Sequence, residues 1–419
     1  MNTEKIKIGI GFATGRKQFQ KVLKTYIYNW FEEYGLTQRG RIEIHPIVAY
    51  DLHFANTKKT DFTNIGSELK ELVGEVYFAD SEYIKKETDE LIRQNILSEK
   101  EAQLLFGTGY AAKRNAVLYT ALKKGMDYLL FLDDDEYPIA VTNTRSSAVW
   151  GGQHVVKAHL ESIKDADITN GYHCGYISPI PQIAFDSVLQ EQDFQQFIGA
   201  LSNDIINWNT IHALMKNGGV TYADPKIITS EKAEEVPETN GTKFISGSNL
   251  CIRLNGKNRI YPFYNPPGAR GEDTFLSTCL GESKVLRVPC YTFHDGFSAY
   301  KHIMDGVLPI KLKPILPETS KVVDRFYSCC VGWVRYKPLF LYITQRENYA
   351  ERIAQMRSAL EETLPKVSEY FGRDDFMKIL KELDRYDANV QKHYRQFQET
   401  KRVWAAILET LRAEEDETL

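Results

Sequence analysis

This sequence predicts an α/β fold, a mixed, mostly parallel sheet with flanking helices, followed by an α-helical C-terminal extension. Three observations carry the prediction. Over residues 1–140 short apolar runs alternate with amphipathic stretches, the β-α-β-α-β order that requires a parallel sheet covered on both faces. Two of those runs lead directly into aspartates, at the strand ends where ligands of such sheets lie. Beyond Pro317 the alternation stops, and apolar residues recur every three or four positions to the end.

The elements follow in order. Residues 6–12 (IKIGIGF) read as a buried strand, and Phe19, Val22, Leu23, Tyr26 and Trp30 mark a helix at three- and four-residue spacing. Residues 41–50 form a second strand leading into Asp51. Residues 68–76 and 81–106 read as helices, the second rich in charge. A further helix places Ala112, Ala116, Tyr119 and Leu122 on one face and stops at Gly125, a residue suited to a helix C-terminus. Residues 128–132 (YLLFL) are then a short apolar strand running into Asp133, Asp134, Asp135 and Glu136.

Downstream, residues 155–163 read as a helix, 167–180 as strand-rich, 190–216 as mostly helical, 243–254 as a strand or hairpin and 287–293 as a strand. Between the last two lies YPFYNPPGARGED, dense in aromatics, Pro and Gly. In the extension Ile353, Met356, Leu360 and Leu364 form one stripe, and Ile379, Leu383, Tyr386, Val390, His393 and Phe397 a second. Val403, Ile407 and Leu411 continue the spacing, and Gly372 marks a helix stop. Residues 337–419 read as a helical hairpin or small bundle.

Composition bounds the function. Among 419 residues, 52 Lys+Arg against 56 Asp+Glu give a net charge of −4, with 43% hydrophobic and 26% charged residues. These values exclude a disordered acidic chain, a collagen-like fibre and a small disulfide scaffold. They argue against a protein that coats nucleic acid, and none is expected as partner. The six cysteines form no CxxC pair, which disfavours a structural zinc site or a redox dithiol. MNTEKIKIGIGF lacks the basic start of a signal peptide, and no apolar stretch approaches the ~18 residues that span a bilayer. The expectation is a reduced, cytoplasmic protein without a transmembrane segment.

Several residues point to chemistry. Three consecutive aspartates after a buried strand repel one another, and a divalent cation such as Mn²⁺ or Mg²⁺ resolves the conflict; a solvated acidic turn is the alternative. Asp133 and Asp135 point the same way in an extended segment and so suit one cation-diphosphate group. FGTGYAAKRN fits G-x-G-x-x-A but follows a helix rather than a strand. Its use is either anion binding through backbone amides, Lys113 and Arg114, or a plain surface helix. Glu272 and Asp273 open a helical run, as caps or with Asp273 as a general base. His294 ends a strand, as a structural residue or a further metal ligand.

Taken in order, these features resemble the GT-A glycosyltransferases, in particular the family 2-like group of nucleotide-sugar enzymes. The likeness rests on Asp51 after the second strand, on GYAAKRNAVLYTALKKGMDYLLFLDDDEYP, on FISGSNLCIRL and on RGEDTFLS, with His294 following, and it covers roughly residues 5–300. It implies a GT-A, Rossmann-like unit with a nucleotide-sugar-binding half (1–140) and an acceptor-binding half (141–320), plus the helical extension (321–419). Asp51 would hold the nucleobase, Lys113, Arg114 and Asn115 the nucleotide, and Asp133 the ribose beside Asp134. Asp135 and His294, with Asp133, would hold the cation, and Gly247, Ser248 and Asn249 would line the sugar and acceptor pocket. Asp273, next to Glu272, would deprotonate a carbohydrate or other hydroxyl acceptor, giving inversion. If Asp273 is only a cap, a retaining enzyme resembling mannosylglycerate synthase is the alternative.

Other classes fit less well. A sugar-1-phosphate nucleotidyltransferase would want a richer version of Ala13-Thr14-Gly15-Arg16-Lys17 after the first strand. A phosphatase of the haloacid dehalogenase type would carry its D-x-D on that strand, and a non-catalytic scaffold would leave three aspartates without purpose. The helical extension is expected to serve self-association, an acceptor platform or, least well, a membrane surface.

Overall fold

The computed structural model describes residues 5–34, 41–144, 146–202, 208–256, 258–300, 303 and 306–418. Its first half is an alternating α/β chain: β1 (Ile6–Thr14), α1 (Phe19–Tyr34), β2 (Ile42–Tyr50), α2 (Thr60–Thr63), α3 (Ser67–Lys70), β3 (Tyr77–Phe78), α4 (Ser81–Arg93), α5 (Glu99–Phe106), α6 (Tyr110–Lys123) and β4 (Tyr128–Phe131). After β4 come β5 (Glu136–Tyr137), the hairpin of β6 (Ile139–Asn143) and β7 (Ala148–Gly152), α7 (Val155–Ile163) and β8 (Ile168–Gly175). Then follow α8 (Glu191–Leu201), α9 (Trp208–Lys216), α10 (Pro225–Ile228), β9 (Glu234–Glu235), β10 (Glu238–Thr239), β11 (Thr242–Lys243), β12 (Leu250–Arg253), α11 (Glu272–Ser277) and β13 (Val285–His294).

One sheet runs β3-β2-β1-β4-β12-β8-β13-β5, with β9 on β13. β1 pairs in parallel with β2 and β4, and β13 with β8, whereas β12 runs antiparallel between β4 and β8. The sheet is therefore mixed and mostly parallel, and it draws strands from both 1–140 and 141–320. Its C-terminal edge carries Thr14, Tyr50, Phe131 and His294. Because β12 is reversed, the segment entering it, residues 246–249, reaches the same edge.

Local departures from the sequence reading have physical reasons. The helix expected over 81–106 is two helices, because Asn95 sits at φ 56° and Ser98 opens a capping box with Glu101. Residues 68–76 yield only α3 and turns before β3, and 243–254 divides between β11 and β12. Within 190–216 helices α8 and α9 form, while residues 203–207 lie outside the described residues.

The C-terminal part is larger than a hairpin. It comprises α12 (Ser320–Thr344), α13 (Tyr349–Phe371), α14 (Lys378–Ala388) and α15 (Val390–Thr418), with Gly372 in the left-handed region where α13 stops. Apolar stripes explain the packing. Leu360, Leu364 and Val367 meet Phe326, Leu383 and the Phe194 and Phe197 of α8 in one core. Tyr336, Phe340 and Phe397 enclose Tyr264 and Phe275, directly beneath the Glu272–Asp273 turn. Val403, Trp404 and Ile407 join the core between the sheet and α4–α6. The helices thus share apolar cores with the sheet-bearing part instead of standing apart from it. Among the described residues no helix is long and apolar enough to cross a membrane.

Candidate active site

The acid run emerges where β4 ends and the chain turns into β5, and the four carboxylates fan out to different partners. Asp134 turns toward β1, where Thr14 Oγ1 donates to its Oδ2 at 2.5 Å and Arg16 Nη1 donates to its Oδ1 at 3.0 Å. Burial pushes its carboxyl up to about 6, against the pull of Arg16. Asp135 is paired with Arg16 and with His294, whose Nε2 lies 3.3 Å from Asp135 Oδ1. Burial alone would raise the Asp135 carboxyl, but His294 and Arg16 outweigh it and hold it below the usual carboxylate range. Burial likewise opposes protonation of His294, yet Asp135 raises the imidazole to about 9. The ring is fixed by its Nδ1, 3.0 Å from the Tyr176 carbonyl.

Asp133 faces the opposite way. It accepts from the Tyr110 hydroxyl at 2.8 Å and from Arg114 Nη2 at 3.2 Å. Arg114 is 2% exposed. It also donates to the Gly247 carbonyl, and its Nε lies 3.4 Å from Glu272 Oε1 without hydrogen-bond alignment. The guanidinium lies against Tyr110, Phe131 and Phe263, with ring centroids 4.8, 5.1 and 5.4 Å away. Burial, then the neighbouring Asp273, lift Glu272 to about 7.

Glu136 completes the fan. It accepts from Ser248 Oγ at 2.6 Å and Thr292 Oγ1 at 3.1 Å, and His173 Nε2 lies 3.2 Å from its other oxygen. Asp273 accepts from the Gly247 amide at 3.1 Å and from its own following amide, Thr274, at 2.8 Å. The crossing is tight at Gly247, since a Cβ there would sit 3.0 Å from Arg114 Nη2 and 3.4 Å from Asp273 Cβ.

The structure therefore brings Arg114, Asp133, Asp134, Asp135, Gly247, Ser248, Glu272, Asp273 and His294 to one sheet edge. Asp51 stands at the end of β2, half-exposed and accepting from the His53 amide at 2.9 Å. Lys113 points elsewhere, into an open cavity of about 330 Å³ between α4, α5 and α6 with Asp80, Lys85 and Glu99.

Two expected binding residues belong to the core. Asn115 donates to the Leu105 and Phe263 carbonyls, both at 3.0 Å, and accepts from the Phe263 amide at 2.7 Å, so its amide is fully used in tying the 261–273 loop to α6. Asn249, at φ 50° and fully buried, binds the Tyr172 carbonyl and His159. Arg16, Tyr110, Glu136 and His173 were absent from the expected set. Arg16 had one sequence signal, a base just past the first strand, and Glu136 closed the acid run; nothing in the sequence marked Tyr110 or His173.

A divalent cation fits part of the expected ligand set. Among the described residues no three His, Cys, Asp or Glu side chains gather at ligating distance. Asp135 and His294 converge, whereas Asp133 does not join them because Tyr110 and Arg114 turn it away. Two protein donors still suit Mg²⁺ or Mn²⁺, which take much of their coordination from water and phosphate oxygens.

No protein-family model matches the chain, and no curated protein matches it significantly. Among solved structures, the apo form of mouse xyloside xylosyltransferase 1 aligns with 46% of this chain at 11% identity and a TM-score of 0.23. The chain spans only 58% of that structure's length. A likeness at this level carries no argument about activity.

Proposed function

We propose that the chain is a metal-dependent glycosyltransferase of GT-A type, moving a sugar from a nucleotide-diphosphate donor to a hydroxyl acceptor. The observation that carries the reading is the convergence of Asp135, His294 and Arg16 on one side of the acid run with Arg114, Glu272 and Asp273 on the other, at the C-terminal edge of a mixed, mostly parallel sheet. Such an edge is where α/β sheets take nucleotides. The same set gives cationic help to a departing diphosphate and a carboxylate to an attacking hydroxyl.

Asp135 and His294 would hold Mn²⁺ or Mg²⁺, which when bound supplies Lewis-acid stabilisation of phosphate charge. Arg16, already between Asp134 and Asp135, places a fixed positive charge beside that position. Asp51, at the end of β2, would accept from a nucleobase, and Asp133 from a ribose hydroxyl. Gly247 and Ser248 line the approach for the sugar. Asp273 takes the acceptor proton in a single displacement with inversion, a contribution of about 10²–10⁴-fold. The bonds from Gly247 and Thr274 hold its carboxylate in place, and they equally suit a purely positional carboxylate. In that case a retaining transferase is the second reading.

The test is a screen of UDP-, GDP- and dTDP-sugars for nucleoside diphosphate release, with Mn²⁺ present or chelated. No release and no nucleotide-induced thermal shift would sink the reading. Asp135→Asn is expected to lose cation-dependent nucleotide binding. Asp273→Asn is expected to keep binding and lose at least ~10²-fold in turnover; full activity of that variant removes the base and leaves the retaining reading.

A further inference from the structure

Helix α12 carries a face on which Lys321, Arg325, Cys329, Gly332 and Tyr336 follow at four- and three-residue spacing, and this face borders the acid cleft. Arg325 lies over the Phe297 ring, 4.4 Å from its centroid. Its Nη2 is so close to Gly296 that a Cβ there would stand 2.6 Å away, and the same Cβ would meet His294 Cε1 at 2.9 Å. Arg270 reaches the same face from the 261–273 loop. Its Nη1 donates to Cys329 Sγ at 3.3 Å, and its stem lies against Gly332, where a Cβ would meet Cδ at 2.9 Å.

Among the described residues no carboxylate comes within ion-pair reach of either guanidinium. That contrasts with Arg16 and Arg114, each of which has two acidic partners. Lys321, one turn before Arg325, adds a third positive charge, its Nζ 3.5 Å from the Phe297 carbonyl. Like charges at this spacing repel. Burial lowers the basicity of Arg325; Cys329 and Asp135 oppose this, and Arg16 and Arg270 add smaller repulsions that lower it further. A forked pair of uncompensated guanidiniums beside a cleft is the arrangement that phosphates and carboxylates bind bidentately.

We infer that Arg270 and Arg325 form a subsite for an anionic group, phosphate or carboxylate, on the acceptor. This rests on the glycosyltransferase reading and narrows its substrate class to anionic hydroxyl compounds. The placement decides between acceptor and donor. Arg270 lies three residues before Asp273, on the loop that presents the proposed base, and Arg325 lies on the α12 side of His294, whereas Asp51 and Thr14 mark the nucleoside end across the acid run. Gly296 and Gly332 are the positions that let the two guanidiniums come this close to the chain.

The experiment measures binding of inorganic phosphate and of glycerol 3-phosphate to the full chain, with and without UDP or GDP and Mn²⁺. Arg325→Met and Arg270→Met are each expected to weaken both anions about tenfold, and the double variant further, while nucleoside diphosphate affinity stays within about twofold. Arg325→Lys is expected to recover part of the loss, which separates lost charge from a misfolded helix. Anion binding that is absent, or indifferent to both arginines, overturns the inference. An equal loss of nucleoside diphosphate affinity also overturns it, because the arginines then serve the leaving group. If the wild-type chain binds no nucleoside diphosphate but still binds phosphate through these arginines, the transferase reading fails while the anion subsite stands.

Discussion

At the strand-end cleft the buried side chains are Arg114, Asp134, Asp135 and Glu136; between α8, α12, α13 and α14 they are Phe194, Phe326, Leu360, Leu364 and Leu383. Both layers exclude water, but different forces hold them. The helical layer gains from every apolar contact, at ~25 cal/mol per Å² removed from water. Its charges lie mostly toward the surface in pairs such as Arg335–Glu382, with the buried Lys337 answered by the Ser202 carbonyl. The cleft has charges inside, each tolerable only because another charge or a hydrogen bond answers it. A protein keeps such a region when the charges have work to do, and the cost is met by apolar packing elsewhere. The aromatic cluster of Tyr264, Phe275, Tyr336 and Phe397 is where the two meet, since it supports the Glu272–Asp273 turn from the helical side.

The comparison breaks most visibly at Arg114. Arg114→Met keeps the apolar stem but leaves the partly buried Asp133 and Glu272 without their cation. The expected loss is about 3–5 kcal/mol of stability at pH 8, with turnover abolished. The loss should shrink at pH 5, where Glu272, raised to about 7, takes a proton instead. Denaturant unfolding at both pH values checks this, and a loss independent of pH would mean that Arg114 acts through packing alone.

A truncation in the helical layer should behave otherwise. Leu364→Ala removes a fully buried side chain from among apolar neighbours and is expected to cost about 2–5 kcal/mol, equally at pH 5 and pH 8. Turnover per folded molecule should stay within about twofold. A larger fall would show that α13 transmits to the cleft and that the two regions are one functional unit.

The same contrast explains what the sequence made legible. The helical layer is written in three- and four-residue spacing, so Leu360, Leu364, Ile379 and Leu383 were identifiable as core residues directly, as was the stop at Gly372. The strands β1, β2, β4 and β13 were legible because each is rich in apolar residues and largely buried, β1 and β4 most uniformly. The acid run was legible because its composition is costly anywhere but at a site. Its partners were not. Asn115 and Asn249 resembled binding residues by position, yet each closes a backbone network set by distant segments at Phe263 and Tyr172. Arg16, His173 and Arg325 reach the cleft from β1, β8 and α12, a convergence created by sheet order and helix packing that no local spacing records. The split of Asp133 from Asp135 has the same origin, since Tyr110 and Arg16 pull from opposite elements.

The finest distinction between the regions lies in the pH dependence of a single carboxyl. Glu272 moves from an ordinary 4.5 to about 7 in the folded chain, chiefly through burial and then through Asp273. Between those values the native state keeps a proton that the unfolded chain has released, so stability falls as pH rises through the window, and the full deficit is present above about pH 7. Glu272→Gln cannot ionise. It is expected to match the wild type near pH 5 and to exceed it by about 1–3 kcal/mol at pH 8, the reverse in sign of Leu364→Ala and Arg114→Met. Unfolding free energies at pH 5, 6.5 and 8 decide the point. A variant less stable than wild type at pH 8 would mean that the ionised Glu272 is a net partner of Arg114. The cleft would then be held, as the helical layer is, by interactions that are favourable on balance.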